Sequence, residues 1–270
     1  MTVADSGADR AELELLTDTL RKTLTSASGH ELDTALAELG WPDLLDDLPD
    51  LAVPLVFRLL GETGAHASVL NDVVRRAAGW TGTDPVTLPF AGGTFVIWDS
   101  TGTTGGAVDE ELALRTLTEG TALPAEALAE GRRALGWWLL GTGHTMLALA
   151  RRHAVERTQF GRPLASFQAV RHRLAETLVA LEGAEAALNN ADGELGALLA
   201  KAAAGHAALT ASRHCQQVLG GIGFTAEHDL SRHVRRTLVL DGLLGSAREL
   251  TREAGALIRA AGSAPRLAQL

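Results

Sequence analysis

A chain of 270 residues with a formal charge of −9 has no general basic face for nucleic acid, and it is long enough for one large or two small domains around a sizeable core. Hydrophobic residues reach 46% while aromatic ones reach only 4%, with no tyrosine, which argues against a β-sandwich and for an Ala/Leu-rich helical protein. The single cysteine, Cys215, excludes an intrachain disulfide or a cysteine-built zinc cluster and suits a reducing compartment. The first 26 residues are acidic and amphipathic, without the apolar centre of a signal peptide, and no apolar run reaches membrane-spanning length. A soluble cytoplasmic protein with no nucleic-acid and no membrane partner is the expectation.

In chain order, Leu13, Leu16, Leu20 and Leu24 form a helical stripe that predicts a helix over residues 8–26, with Asp9 as its cap. Leu32, Leu36 and Leu39 continue the pattern into a second short helix closed by Gly40. Residues 43–54 carry Pro49 and Pro54 among four aspartates and read as a loop with a turn. Helices are expected at 54–64, with the proline in its first turn, and at 66–79. His30 and His66 are isolated and have no ligand spacing. Residues 1–79 thus read as an N-terminal helical domain.

Residues 80–123 change character. Val86 to Phe90 and Thr94 to Trp98 are β-branched and aromatic runs on either side of Ala91-Gly92-Gly93, the pattern of a hairpin. Thr101 to Gly106 reads as a flexible turn, and Leu112, Leu114 and Thr116 alternate as a third strand. So small a sheet needs helices or another chain to lean on. None of its glycine turns has the strand, loop and helix order of a phosphate-binding loop.

From Pro124 the chain turns helical again. Helices are expected over 124–159, 166–190, 193–219 and 237–262, and short connections between them predict an antiparallel four-helix bundle over 124–270. The Ala-rich run at 202–208 permits close helix approach. Arg171, His172 and Arg173 beside Glu176 read as a solvated helix face. Arg132-Arg133 and Arg235-Arg236 lie beside apolar runs and are candidate partners for acidic residues or phosphates.

Two stretches stand out in this half. The first is Glu156-Arg157-x-Gln159-Phe160-Gly161-x-Pro163-Leu164, followed by Phe167-Gln168, His172 and Leu174-Ala175-Glu176. The second is Gln217-x-x-Gly220-Gly221-x-Gly223-Phe224-Thr225-x-Glu227, followed by Arg232, Arg235 and Gly245. Their order and separation resemble the C-terminal helical domain of acyl-CoA dehydrogenases. The resemblance implies a mainly α fold with an N-terminal helical domain, a middle β-region, here reduced, and a C-terminal four-helix bundle. It also implies FAD lying between subunits and touched by Arg157, Gln159, Phe160, Gln217, Gly220 and Gly221. An Arg guanidinium suits a pyrophosphate, an aromatic ring an adenine or flavin edge, and glycines let backbone N–H groups approach an anion.

The departures from the family pattern are as informative. The family's catalytic glutamate stands just before a Gly-Thr pair after the second motif, a place held here by Leu244 before Gly245-Ser246. An alternative site early in the first bundle helix falls on Gly131; its neighbour Glu130 points about 100° away around a helix. Both base positions therefore lack a carboxylate, and the segment before the bundle is roughly half the family's. These losses resemble the truncated, base-lacking subunit of actinobacterial heteromeric (α2β2) acyl-CoA dehydrogenases. The implied partner is a homologous full-length subunit that binds most of the acyl-CoA and shares the FAD, and such pairs are often linked to steroid catabolism. Two alternatives stay open: a self-sufficient dehydrogenase with a relocated base, Glu130 or Asp241, and a purely structural or regulatory oligomerisation subunit.

Overall fold

The computed structural model describes residues 5–84, 86–98 and 108–264. The turn expected at Thr101 to Gly106 lies outside them. Five helices come first: α1 (Asp5–Ser26), α2 (His30–Glu38), α3 (Trp41–Asp47), α4 (Pro49–Thr63) and α5 (Leu70–Ala77). Three differences from the sequence expectation have local causes. Asp9 lies inside α1 and cannot be its cap, because the helix already runs from Asp5. Residues 43–54 are not a loop. Pro42 and Pro49 sit in the first turns of α3 and α4, where a missing N–H costs nothing, and Pro54 is carried inside α4. The helix expected at 66–79 is confined to α5, with residues 66–69 folding as an entry loop whose Ser68 N–H is accepted by Asp33 at 2.6 Å.

The hairpin and third strand are present as expected. Strands β1 (Thr87–Phe90), β2 (Thr94–Trp98) and β3 (Leu114–Leu117) form an antiparallel sheet in the order β1-β2-β3, with Leu88 opposite Val96 and Trp98 opposite Leu114. All four of those side chains are buried, and they form the sheet's inner face. The sheet leans on the helices through one aromatic series. Trp98 stacks on Trp138 of the next helix at 5.5 Å between ring centroids, Trp138 meets Phe57 edge-on at 5.8 Å, and Phe57 meets Trp41 at 6.4 Å. Asn71 of α5 donates to the Trp98 carbonyl at 3.0 Å.

The second half is built on α6 (Ala125–Glu156), 32 residues and about 48 Å long. Beside it run α7 (Gln168–Asn189) and α8 (Gly193–Leu219), while α9 (Leu230–Gly242) and α10 (Ala247–Ala261) share the fourth place in the bundle. The single helix expected over 237–262 is therefore two, broken at residues 243–246. The first ends at Gly242, where Leu243 turns extended as the C-cap, Gly245 follows at φ +100, and Ser246 with Glu249 forms a capping box that starts the second. Alanines 197, 200, 204, 207, 208 and 211 are fully buried and let α8 run through the centre. Where α4 crosses α6 the two backbones touch: a Cβ on Gly61 would stand 2.5 Å from the Thr142 nitrogen, and one on Gly141 would collide with the Arg58 carbonyl.

An ionic cluster joins the N-terminal helices, the β-region and α9. The Arg236 guanidinium, 1% exposed, is paired with the buried Asp109 and with Glu111 at 2.9 Å, and it donates to the Ala65 carbonyl at 3.0 Å. Two histidines border it, and burial beside Arg232 and Arg236 pushes both His66 and His233 down to about 4. The unfolded chain takes up these protons near pH 6.5, whereas the folded chain resists until near pH 4. Their contribution is thus complete above pH 6.5 and is lost as pH falls from 6.5 towards 4. The urea midpoint should fall between pH 6.5 and 5, where most carboxylates remain ionised, and a flat midpoint across that window would refute the assignment.

Candidate functional site

The first singled-out stretch folds as a finger at the end of α6. Arg157 caps that helix, and residues 158–163 form a two-residue hairpin in which β4 (Thr158–Gln159) pairs with β5 (Arg162–Pro163). Its two turn residues, Phe160 (φ 54) and Gly161 (φ 77), both adopt positive φ, the signature of a type I′ turn. Glycine takes that conformation freely, but a phenylalanine there is strained. The strained Phe160 is nevertheless 87% exposed, and its ring meets Phe167 edge-on at 6.1 Å between centroids. Phe167 in turn carries the Arg162 guanidinium over its face at 4.3 Å, a pairing that fixes the finger's base. A 3₁₀ turn (Leu164–Ser166) then leads into α7.

The second stretch closes α8. Gly220 (φ 65) ends the helix and opens a 3₁₀ turn (Gly220–Phe224), with Gly223 packed so closely that a Cβ would stand 2.9 Å from the Gln216 carbonyl oxygen. Both stretches rest on one apolar cluster, with Leu164 and Ala165 from the finger packed on Met146, Cys215, Val218, Leu219 and Leu230. Cys215 is inert there, its thiol pushed up to about 12 by burial. Arg157, Gln159, Phe160, Gln217 and Gly221 are exposed and Gly220 is half-buried, so the fold brings all six to one end of the bundle with their functional atoms outward. Among the described residues, no hydrogen bond or ion pair engages the side chains of Arg157, Gln159 or Gln217.

Charge gathers at the same end. Residues 150–175 contain six arginines, all exposed, and one acid, Glu156, a local balance of 6 − 1 = +5 in a chain of −9. A Cβ at Gly220 or Gly221 would meet open space, so their backbones are approachable. This donor set fits an anionic dinucleotide such as FAD: a guanidinium for the pyrophosphate, a free ring edge and bare backbone amides. Five clefts on the described surface, of about 300 to 430 Å³, are lined by none of the six, and the fit is to one side of such a ligand.

Gly131 and Leu244, the two positions where the resemblance expects a base, lie against each other. A side chain at Gly131 would begin 2.6 Å from Leu244 Cδ1 and 3.0 Å from Val74 Cγ2. Leu244 is 1% exposed and holds φ 54, a conformation that its surroundings impose. Its N–H donates to the Pro89 carbonyl at 2.8 Å, extending the edge of β1, and its carbonyl accepts from Arg132 Nε at 3.1 Å. Lys201 of α8, fully buried, donates to the carbonyls of Asp241 and Gly245 on either side, at 2.9 and 2.5 Å. The loop that would carry a base is pinned from three elements around a leucine.

The carboxylates nearest these positions are engaged elsewhere. Glu130 pairs with Arg133, which also donates to the Ala191 carbonyl at 2.7 Å. Asp241 accepts the Ala247 N–H at 3.0 Å and so helps cap α10. Arg236 has acidic partners, and Arg132 has the Leu244 carbonyl and Glu253, so the apolar-flanked arginines serve protein groups. Sequence reasoning missed Lys201, although a lysine amid the alanines of α8 was a signal of a buried, carbonyl-bound ammonium. Burial pushes that ammonium down to about 7.

Comparison with known proteins identifies the family of the C-terminal half. Residues 118–256, a little over half of the chain, match the family model described as acyl-CoA dehydrogenase, C-terminal domain. Acyl-CoA dehydrogenase FadE34 of Mycobacterium tuberculosis is 38% identical over 150 residues, covering 52% of this chain and 19% of its own length. Acyl-CoA dehydrogenase IpdE2 of the same organism is 37% identical over 116 residues, covering 42% of this chain and 36% of its own. The match thus spans well under half the length of these relatives. Among solved structures, the Tcur3481-Tcur3483 steroid ACAD G363A variant superposes with a TM-score of 0.70 at 19% identity, over 93% of this chain and 99% of that one. The ChsE4-ChsE5 complex from Mycobacterium tuberculosis gives 0.69 at 18%, over 98% and 99%. At these identities the two structures speak to the fold.

Proposed function

Because the chain belongs to the acyl-CoA dehydrogenase family, we propose that it is the base-lacking subunit of a heteromeric FAD-dependent enzyme that converts an acyl-CoA to a 2-enoyl-CoA. The observation that carries this reading is Leu244, buried where the family's base would stand and packed over the other base position at Gly131. A leucine cannot accept the α-proton, so that step falls to a glutamate of a homologous partner subunit. FAD, when bound, supplies the two-electron acceptor for the Cα–Cβ bond. This chain's part is to complete the cofactor site: Arg157 offers counter-charge to the pyrophosphate, Phe160 covers an aromatic edge, and Gln159, Gln217, Gly220 and Gly221 supply amide contacts. We read residues 1–79, 80–123 and 124–270 as the corresponding domains. The names of two fold neighbours, a steroid ACAD and a two-component complex, support an α2β2 assembly acting on a bulky, sterol-derived thioester.

The test is co-expression with a homologous full-length subunit that keeps its glutamate. The complex should be yellow and active, and the chain alone poor in flavin. Arg157→Ala should cost a charge-assisted hydrogen bond of about 1.5–3 kcal/mol, weakening flavin binding by the complex roughly 10- to 150-fold. Unchanged flavin content would favour the scaffold reading instead, and a yellow, active homo-oligomer would overturn the proposal.

A further inference from the structure

Away from the bundle end described above, α6 and α7 bring together His144, Glu182 and Glu185, whose ligand-type atoms all lie within 4.8 Å of one another. We propose that these three side chains bind a divalent cation of the zinc class, tying α6 to α7.

Four features of the cluster point to a metal. His144 Nε2 is shut off from solvent and has no hydrogen-bond partner, and its nearest acid oxygen, Glu185 Oε2, stands at 3.9 Å, too far for a hydrogen bond. A buried polar atom left without a partner is costly, and a cation between these groups removes that cost. The other oxygen of Glu185 is held by Arg58 at 2.5 Å, which orients the carboxylate as an outer residue orients a metal ligand and leaves Oε2 directed at the gap. Arg58 also pairs with Glu62, which is paired in turn with Arg21. The two arginines are thus matched by Glu62 and Glu185, and Glu182 is the acid left over, a local charge of 2 − 3 = −1.

Glu182 is exposed and lies three residues before Glu185, on the same face of α7, free to swing towards the imidazole. One imidazole nitrogen and two carboxylate oxygens suit zinc, cobalt or manganese better than calcium or magnesium, which prefer all-oxygen shells. Three protein ligands leave a coordination position for water. A cleft of about 380 Å³, with His144, Leu147, Arg151, Arg171 and Leu178 in its wall, lies beside the cluster.

The experiment uses the full chain, in its complex with the partner where that forms, after chelator treatment. Titration with Co²⁺, followed by visible absorption and calorimetry, should show one equivalent bound per chain and displaced by Zn²⁺. His144→Ala and, independently, the surface substitution Glu182→Gln should each weaken Co²⁺ binding by more than about 100-fold, beyond the usual cost of losing an outer-shell group. Glu176→Gln, at another acid of α7, should bind as the unaltered chain does. The proposal is overturned if the unaltered chain binds no more Co²⁺ than the His144→Ala/Glu182→Gln double variant. Flavin content is read in parallel and should not move, so the outcome is separate from that of the Arg157→Ala test.

Discussion

Asp109→Ala is expected to destabilise the chain by about 3–5 kcal/mol, the usual consequence of leaving one member of a buried ion pair behind. Arg236 is 1% exposed and Asp109 wholly buried, so neither can exchange its partner for water. Glu111, the second acid on Arg236, is 43% exposed and screened, and it cannot replace Asp109. At roughly 2–4 °C per kcal/mol for a chain of this size, the thermal midpoint should drop by about 6–20 °C. A double variant, Asp109→Leu with Arg236→Met, separates charge from packing. Its loss should be smaller than that of Asp109→Ala alone, because no unpaired charge remains, although the carbonyls of Gly64 and Ala65 lose their donor. Equal losses in the two variants would show that the pair acts only through shape.

Gly61→Ala should be more damaging still relative to its size. One methyl group there must enter space already held by the backbone of α6, at the Trp138 carbonyl and the Thr142 nitrogen. Overpacking usually costs about 1–3 kcal/mol when side chains yield, and more when, as here, only a whole helix can move. We expect a loss above about 3 kcal/mol by chemical denaturation. Gly183→Ala, on an exposed face of α7 with open space around it, should instead stabilise the chain by about 0.5–1 kcal/mol through helix propensity. A drop below 1 kcal/mol for Gly61→Ala would mean that α4 and α6 slide apart freely, against the touching backbones.

Which parts of this structure the sequence disclosed follows from the range of each interaction. The hairpin at β1 and β2 was legible because Gly92-Gly93 and the flanking β-branched residues act locally. The long helices α6, α7 and α8 were legible from apolar period and punctuation. Residues 43–54 misled because proline breaks a helix from within but starts one from its first turn, and Pro42 and Pro49 do the latter. The break before α10 was written as Ser246-x-x-Glu249, a capping box that an overriding apolar pattern hid. Within the site, resemblance supplied the six candidate cofactor residues, and all six lie at one end of the bundle, five exposed and Gly220 half-buried. Nothing local announces that Phe160 takes a glycine's conformation, or that Gly131 and Leu244, far apart in sequence, share one point in space.

That shared point bears on which neighbouring sequences this chain can reach. A glutamate placed at 131 meets the Leu244 side chain, and a glutamate placed at 244 puts a carboxylate where a leucine is now 1% exposed. Neither single replacement restores a working carboxylate, and each weakens the fold on the way. Recovery of a base needs concerted changes at both positions and in the surrounding apolar wall. Under the function proposed above, the leucine works as a ratchet: with it in place, dependence on another chain's base is the state that one-step mutation preserves.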